Sequence, residues 1–265
     1  SIYILNITSD AEGFQFLFDK FYLPKGCRLY FYDEEKTMYL GAFTHINNRE
    51  DGRFVSQVLN GNSVFIELFV PSITNENIIL SLNKVVFVAD GSFNQTRAII
   101  FDRDSIGSGG CNINTSCDQG AGWEAEIKSV ALILQRQYAN WETYWGWCSG
   151  ALINKESNYV DSDRPYFLTA NHCYEIAQGS YSDPSDWVFV FRYETNCDGD
   201  GTEISRPEAL TKSAVGATII SRKGMGEGSD YLLLQLNNTV GQIKGYDIAF
   251  AGWNGITATS TSVAV

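Results

Sequence analysis

The segment Tyr166–Cys173 decides the interpretation of this chain, and it reads Tyr-Phe-Leu-Thr-Ala-Asn-His-Cys. An apolar run that ends in polar residues is typical of a buried β-strand. This strand would deliver His172 to a loop, and a disulfide from Cys173 would hold the loop in place. Because rigid scaffolds position catalytic groups on such loops, His172 is the first candidate for a general base.

A second candidate lies in the segment Gly228–Leu236, where Asp230 stands at the start of a strongly apolar strand. A carboxylate that is buried at this position needs a hydrogen-bonding partner. An imidazole N–H is a natural donor to it. We therefore expect Asp230 to pair with a histidine.

Both segments belong to a second half of the chain that is rich in short apolar or alternating runs. Glycine, asparagine and aspartate separate these runs, which indicates strands rather than helices. Six such strands predict a small closed β-barrel. They are Ser129–Gln135, Cys148–Ile153, Tyr166–Ala170, Trp187–Tyr193, Ala217–Ser221 and Tyr231–Leu236.

Residues 1–103 also alternate with the period of a β-strand, for example in 14–18 and 64–70. Polar, turn-rich clusters separate these strands, so we predict an antiparallel β-sandwich or a jelly roll. His45 lies in this half without an acid or a cysteine at ligand spacing. We therefore expect it to have a structural role.

Residues 104–110 form a polar, glycine-rich segment without periodicity, which predicts a linker between the two halves. It is either an uncut linker or a processing site, since Arg103 lies just before it. The predicted organisation is a sandwich at 1–103, the linker at 104–110 and a second domain at 111–265.

The composition excludes several functions. The 265 residues carry a net charge of −12 at pH 7, which disfavours binding to nucleic acid or to anionic lipid. No apolar run reaches the roughly 18 residues of a transmembrane helix. The first residues lack the features of a signal peptide and resemble the middle of a strand. We expect either a missing upstream part or a mature N-terminus left by processing.

The six cysteines are enough for two or three disulfides. Cys27 stands alone, and the other five lie in the second half without the paired CxxC spacing of a structural zinc site. The odd number leaves one thiol of that half without a local partner.

Five segments together resemble known proteases. Three of them look like the successive signatures of trypsin-like serine endopeptidases, and these are Cys148–Ile153, Leu168–Cys173 and Ser229–Leu233. Two more, Gly110–Asn114 and Phe189–Tyr193, are similar to the bacterial lysyl endopeptidase branch. The resemblance implies a double β-barrel, hydrolysis of protein or peptide substrates and a secreted or cell-surface location. It implies no metal and no organic cofactor.

The resemblance also implies roles for single residues. His172 matches the general base, and Asp230 matches the carboxylate that orients it. The implied disulfides are Cys148 with Cys173 and Cys117 with Cys197. Cys111 matches a cysteine whose partner lies after residue 265, and Cys27 is expected to be a free, buried thiol.

One part of the protease pattern is missing from the sequence. The family order is histidine, aspartate, serine, and the serine lies in a glycine-flanked loop. Ser260 and Ser262 follow Asp230 without flanking glycines, and Ser108 precedes the histidine. We therefore expect the nucleophile beyond residue 265, so that this chain alone would be inactive. The missing C-terminal part of the protein, or another chain, would cover the open barrel.

The first half has a resemblance of its own. Phe18–Gly26, followed by Leu29–Tyr32, looks like the β-rich domain that precedes the protease in secreted bacterial peptidases. It would be either a pro-domain or a permanent accessory module. The alternative for the whole chain is a non-catalytic surface or binding protein that is built on a protease-like barrel.

Overall fold

The computed structural model describes residues 1–11, 13–88, 114–139, 142–177, 180–194, 197 and 212–253. Strands dominate, and the prediction of an all-β protein is confirmed. The α-helices of the described residues are short: α1 (Glu124–Ser129) and α2 (Val240–Ile243). The 3₁₀ turns are His45–Asn47, Asp118–Gly120, Asn171–Cys173, Pro184–Asp186, Met225–Glu227 and Lys244–Tyr246. Every helix of the described residues is too short and too polar to span a bilayer.

The first half contains two antiparallel sheets that face each other. Its strands are β1 (Ile2–Thr8), β2 (Gly13–Tyr22), β3 (Arg28–Asp33), β4 (Tyr39–Phe43), β5 (Phe54–Val55), β6 (Leu59–Asn60), β7 (Ser63–Phe69) and β8 (Ile79–Val88). One sheet has the order β1-β7-β3-β4. In the other, β2 pairs with β5, β6 and β8. We call this unit the sandwich.

The sandwich core is built mainly from phenylalanine rings. Phe14 and Phe16 of β2 are fully buried and lie against the opposite sheet. Phe31 of β3 stacks on Phe16 with 5.2 Å between ring centroids, and Phe54 stacks on Phe21 at 4.3 Å. Alternating residues of each strand thus join the two sheets through one apolar layer.

The second half contains one curled sheet, which we call the barrel. Its strands are β9 (Val130–Ala139), β10 (Glu142–Ile153), β11 (Tyr166–Ala170), β14 (Val188–Phe191), β15 (Ser213–Val215), β16 (Ala217–Lys223) and β17 (Tyr231–Leu236). They are ordered β15-β14-β9-β10-β11-β17-β16. A separate hairpin consists of β12 (Glu175–Ala177) and β13 (Ser180–Tyr181). All six predicted strands have a counterpart here.

The two edges of the barrel sheet are parts of one bent strand. β15 and β16 are separated in sequence by Gly216 alone, so the sheet closes on itself at this residue. Gly216 has φ +79°, and a Cβ there would lie 2.4 Å from Asn237 Nδ2 and 2.7 Å from Ser185 O. The corner therefore requires glycine for both its backbone conformation and its space.

Strand β14 is buried on both faces, which explains its continuous apolar sequence Val-Phe-Val-Phe. Phe189 and Phe191 point into the barrel core. Val188 and Val190 are fully buried as well, but they belong to the core of the sandwich. The sandwich therefore packs on the outside of the barrel at β14.

Candidate active site

His172 is placed at the end of a strand that is anchored in the barrel core. Phe167 of β11 is fully buried. The 3₁₀ turn Asn171–Cys173 follows β11 directly and turns the imidazole outwards. The side chain of His172 is 59% exposed, so its ring is accessible to solvent.

The strand register brings Asp230 to His172. β11 pairs with β17 in an antiparallel arrangement in which Ala170 lies opposite Tyr231. The residue before Tyr231 and the turn after Ala170 are therefore neighbours. His172 Nδ1 lies 2.7 Å from Asp230 Oδ2, and the backbone N–H of His172 donates to Asp230 Oδ1 at 3.0 Å. The backbone N–H of Asn171 donates to Asp230 O at 3.2 Å.

Asp230 has a backbone conformation that few side chains adopt. Its φ is +46°, in the left-handed region where aspartate is tolerated better than most residues. Such conformations persist where the surroundings hold them, and they cluster at functional sites. The two hydrogen bonds from His172 and the one from Asn171 hold this residue in place.

The ionised carboxylate of Asp230 selects the tautomer of a neutral His172 imidazole. The side-chain hydrogen bond from His172 lowers the pKa of the Asp230 carboxyl below its ordinary value, and the backbone N–H of His172 contributes in the same direction. Asp230 is therefore ionised at neutral pH and can only accept hydrogen bonds. His172 Nδ1 must carry the proton, which leaves Nε2 free to accept one. This arrangement can act as a general base.

A disulfide holds the turn that carries His172. Cys148 of β10 is bonded to Cys173, with 6.1 Å between their Cα atoms. Thr169 Oγ1 donates to Ser149 O at 2.7 Å and lies 3.6 Å from Cys173 Sγ. These contacts join the end of β11 to the neighbouring strand. The general-base candidate thus lies on a cross-linked strand end.

The positions of the other cysteines can be compared with those expected from the sequence. Cys117 is bonded to Cys197, and this pair and Cys148–Cys173 are the two that the resemblance implies. Cys27 is a free, fully buried thiol. Cys111 lies outside the described residues, as do the segment 104–110, Ser260 and Ser262.

The site also contains a group of donor atoms with the composition of a metal site. The sulfur atoms of Cys148 and Cys173 and a ring nitrogen of His172 lie within 4.8 Å of one another. The sulfurs are bonded to each other, and a metal ligand must be a thiolate. This group therefore does not fit a metal ion.

Comparison with known proteins agrees with this geometry. Residues 106–265 match the family described as "Lysyl endopeptidase, C-terminal domain". The chain belongs to the lysyl endopeptidase family. No solved structure matches it. The match covers the barrel, His172 and Asp230, and it supports a serine protease as the kind of protein. The role of the sandwich and the position of a serine are outside this comparison.

Beside the histidine of this lysyl endopeptidase domain lies a polar cluster that the sequence analysis missed. Asn171 is buried, donates from Nδ2 to Glu175 Oε2 at 3.3 Å and accepts from Arg222 Nη1 at 3.3 Å. Arg222 also lies 3.8 Å from Glu175 Oε2, and its guanidinium group lies 5.0 Å from the ring centroid of Tyr174. The polar residue between a buried strand and His172 was the available signal. Its partner Glu175 is near in sequence, but Arg222 is 51 residues away.

Proposed function

We propose that the protein is a secreted serine endopeptidase in which His172 is the general base and Asp230 orients it. One observation carries this proposal: His172 Nδ1 is bonded to Asp230 Oδ2 at 2.7 Å while the imidazole is exposed. Such a pair takes a proton from a nucleophile at Nε2, and the carboxylate stabilises the resulting imidazolium ion. Membership of the lysyl endopeptidase family supports the same reaction class.

The nucleophile in this proposal is a serine after residue 265. Its hydroxyl attacks the carbonyl carbon of the peptide bond as His172 accepts the hydroxyl proton. His172 then donates that proton to the leaving amine, and an acyl-enzyme forms. Water, activated by the same imidazole, releases the acid product and restores the serine. No metal or organic cofactor takes part.

The domain organisation is part of the proposal. The sandwich occupies residues 1–103, a linker 104–110, and the protease domain begins at residue 111. The sequence after residue 265 would supply the second barrel, the oxyanion hole, the partner of Cys111 and the pocket for the substrate side chain. Cleavage after lysine or arginine is proposed from the family alone.

The test uses the full-length protein from its source and a fluorophosphonate probe of serine hydrolases. We expect one adduct, and we expect His172→Ala to abolish both labelling and peptide hydrolysis without unfolding the protein. His45→Ala is a matched control because His45 is the other histidine of the chain and is exposed in a turn. An unlabelled full-length protein, or full activity in His172→Ala, would contradict the proposal and favour the non-catalytic alternative.

A further inference from the structure

The contact between the sandwich and the barrel is continuous with the core of the sandwich. From the barrel, Leu134, Val188 and Val190 are fully buried in the same cluster as the phenylalanine rings of the sandwich. Leu132, Trp147, Tyr193 and Val215 are partly buried and pack against this cluster. Separation would expose these apolar side chains of β9, β10, β14 and β15 to water, at a cost that grows with their area.

Polar contacts surround this apolar centre. Arg53 of the sandwich pairs with Asp183 at 3.2 Å and with Asp186, whose residue is 4% exposed. Arg49 Nη1 donates to Ser185 O at 2.8 Å. Separation of the two units would break these three contacts. Charged pairs at the rim of an interface fix the register of the two surfaces.

The centre of the docking surface, at β14, is separated by two intervening strands from β11, which leads to His172. Around the closed sheet, β14 and β11 are three strands apart in either direction: through β9 and β10, or through the bent strand β15–β16 and β17. The sandwich covers β14, whereas His172 follows β11 and is 59% exposed with the sandwich in place. The described part of the sandwich thus leaves the imidazole of His172 exposed.

The same interface also reaches the strand that supports the site. Trp147 of β10 packs against the sandwich core, and the next residue, Cys148, is bonded to Cys173 beside His172. Neighbouring residues of a strand point to opposite faces of the sheet. The sandwich therefore supports β10 from one face while the disulfide holds it from the other.

We propose that the sandwich is a permanent partner of the barrel, which remains bound when the chain between them is cut. A removable pro-domain would leave behind a barrel whose surface is stable in water. Removal of this sandwich would instead expose Leu134, Val188 and Val190, which are fully buried in the shared hydrophobic core. An inhibitory pro-domain would cover the proposed general base, whereas the side chain of His172 is 59% exposed with the described part of the sandwich in place. The proposal concerns association and does not depend on the proposed catalytic activity.

The test places a recognition sequence for a site-specific protease in residues 104–110 of the full-length protein. A denaturing gel establishes complete cutting, and size-exclusion chromatography under native conditions then measures association. We expect both pieces to elute together at the volume of the uncut protein. Two separate peaks, or a soluble sandwich with a precipitated barrel, would overturn the proposal.

Two pairs of variants test whether the observed interface is responsible. In the cut protein, Arg53→Gln should raise the dissociation constant about tenfold or more, because the ion pairs of Arg53 with Asp183 and Asp186 across the interface are lost. Arg28→Gln is the control, since Arg28 is an exposed residue that lies over Phe69 of the sandwich itself. Equal effects of these two substitutions would overturn the assignment of the interface.

The second pair addresses the apolar centre. Val190→Asp should separate the cut pieces, because it puts a carboxylate into a fully buried position. Val160→Asp is the control at a residue that is 58% exposed. If Val190→Asp prevents folding of the uncut chain, Arg53→Gln still decides the question. Stable co-elution of a folded, cut Val190→Asp protein would overturn the proposal.

Discussion

The sandwich and the barrel are both antiparallel β-structures, but different interactions stabilise them. The sandwich depends on stacked phenylalanine rings, and its described residues contain no disulfide. Two disulfides cross-link the barrel, and one of them lies directly beside His172. Apolar packing suffices to build a sheet pair, whereas a catalytic pair requires two particular strand ends to be held within hydrogen-bond distance.

The difference also extends to polar groups. In the barrel, the register between β11 and β17 and a left-handed backbone conformation place Asp230. Its carboxylate therefore accepts two hydrogen bonds from His172. In the sandwich, fully buried polar side chains bond to the backbone, as when Gln15 Nε2 donates to Ser56 O at 3.0 Å and Ser56 Oγ accepts from the backbone N–H of Phe16 at 2.9 Å. At Asp230 a left-handed backbone conformation and a paired titratable group coincide, and this coincidence is typical of functional sites.

The largest expected effect is on catalysis. Asp230→Asn should lower kcat of the full-length protein by about 10⁴-fold at neutral pH, because an amide N–H would favour the wrong tautomer of His172. The measurement is peptide hydrolysis under saturating substrate. Asp161→Asn is the control, since Asp161 is an exposed aspartate of the same half that pairs with Lys244. Comparable activity of the two variants would contradict the role of Asp230.

The next effect concerns stability of the sandwich. Phe31→Ala should lower the free energy of unfolding by about 3–5 kcal/mol, because Phe31 is fully buried and contacts several rings. Denaturant unfolding measures this change, and kcat of the folded fraction should stay the same. Phe87→Ala, at a residue that is 50% exposed, should cost clearly less. Equal losses would show that the ring cluster is not the stabilising feature.

A smaller effect is expected from opening the disulfide beside the site. The double substitution Cys148→Ser and Cys173→Ser opens a loop of 25 residues, which corresponds to about 3.5 kcal/mol in the chain-entropy description. Unfolding in denaturant measures it. Cys27→Ala removes a buried thiol without opening a bridge, and we expect it to cost about 1 kcal/mol. If the double variant loses no more than this control, the cross-link does not stabilise the barrel.

Several elements could be predicted because their signals are local. Alternation in 14–18 and the apolar run in 166–170 are strands in the structure, and His172 and Asp230 stand at strand ends as expected. The docking of the sandwich was not predicted. Its signal was the uninterrupted Val-Phe-Val-Phe of β14, which indicates burial on both faces, but a sequence run does not reveal what covers the second face.

The sequence by itself determined the class of the fold, the family and the two residues of the proposed pair, because strand periodicity and short motifs are properties of neighbouring residues. The tertiary structure alone decided how the barrel closes at Gly216, which groups surround Asn171 and where the sandwich docks. Apart from the contact of Asn171 with Glu175, these features join residues that are tens of positions apart. They depend on register, curvature and shape, which no local pattern encodes.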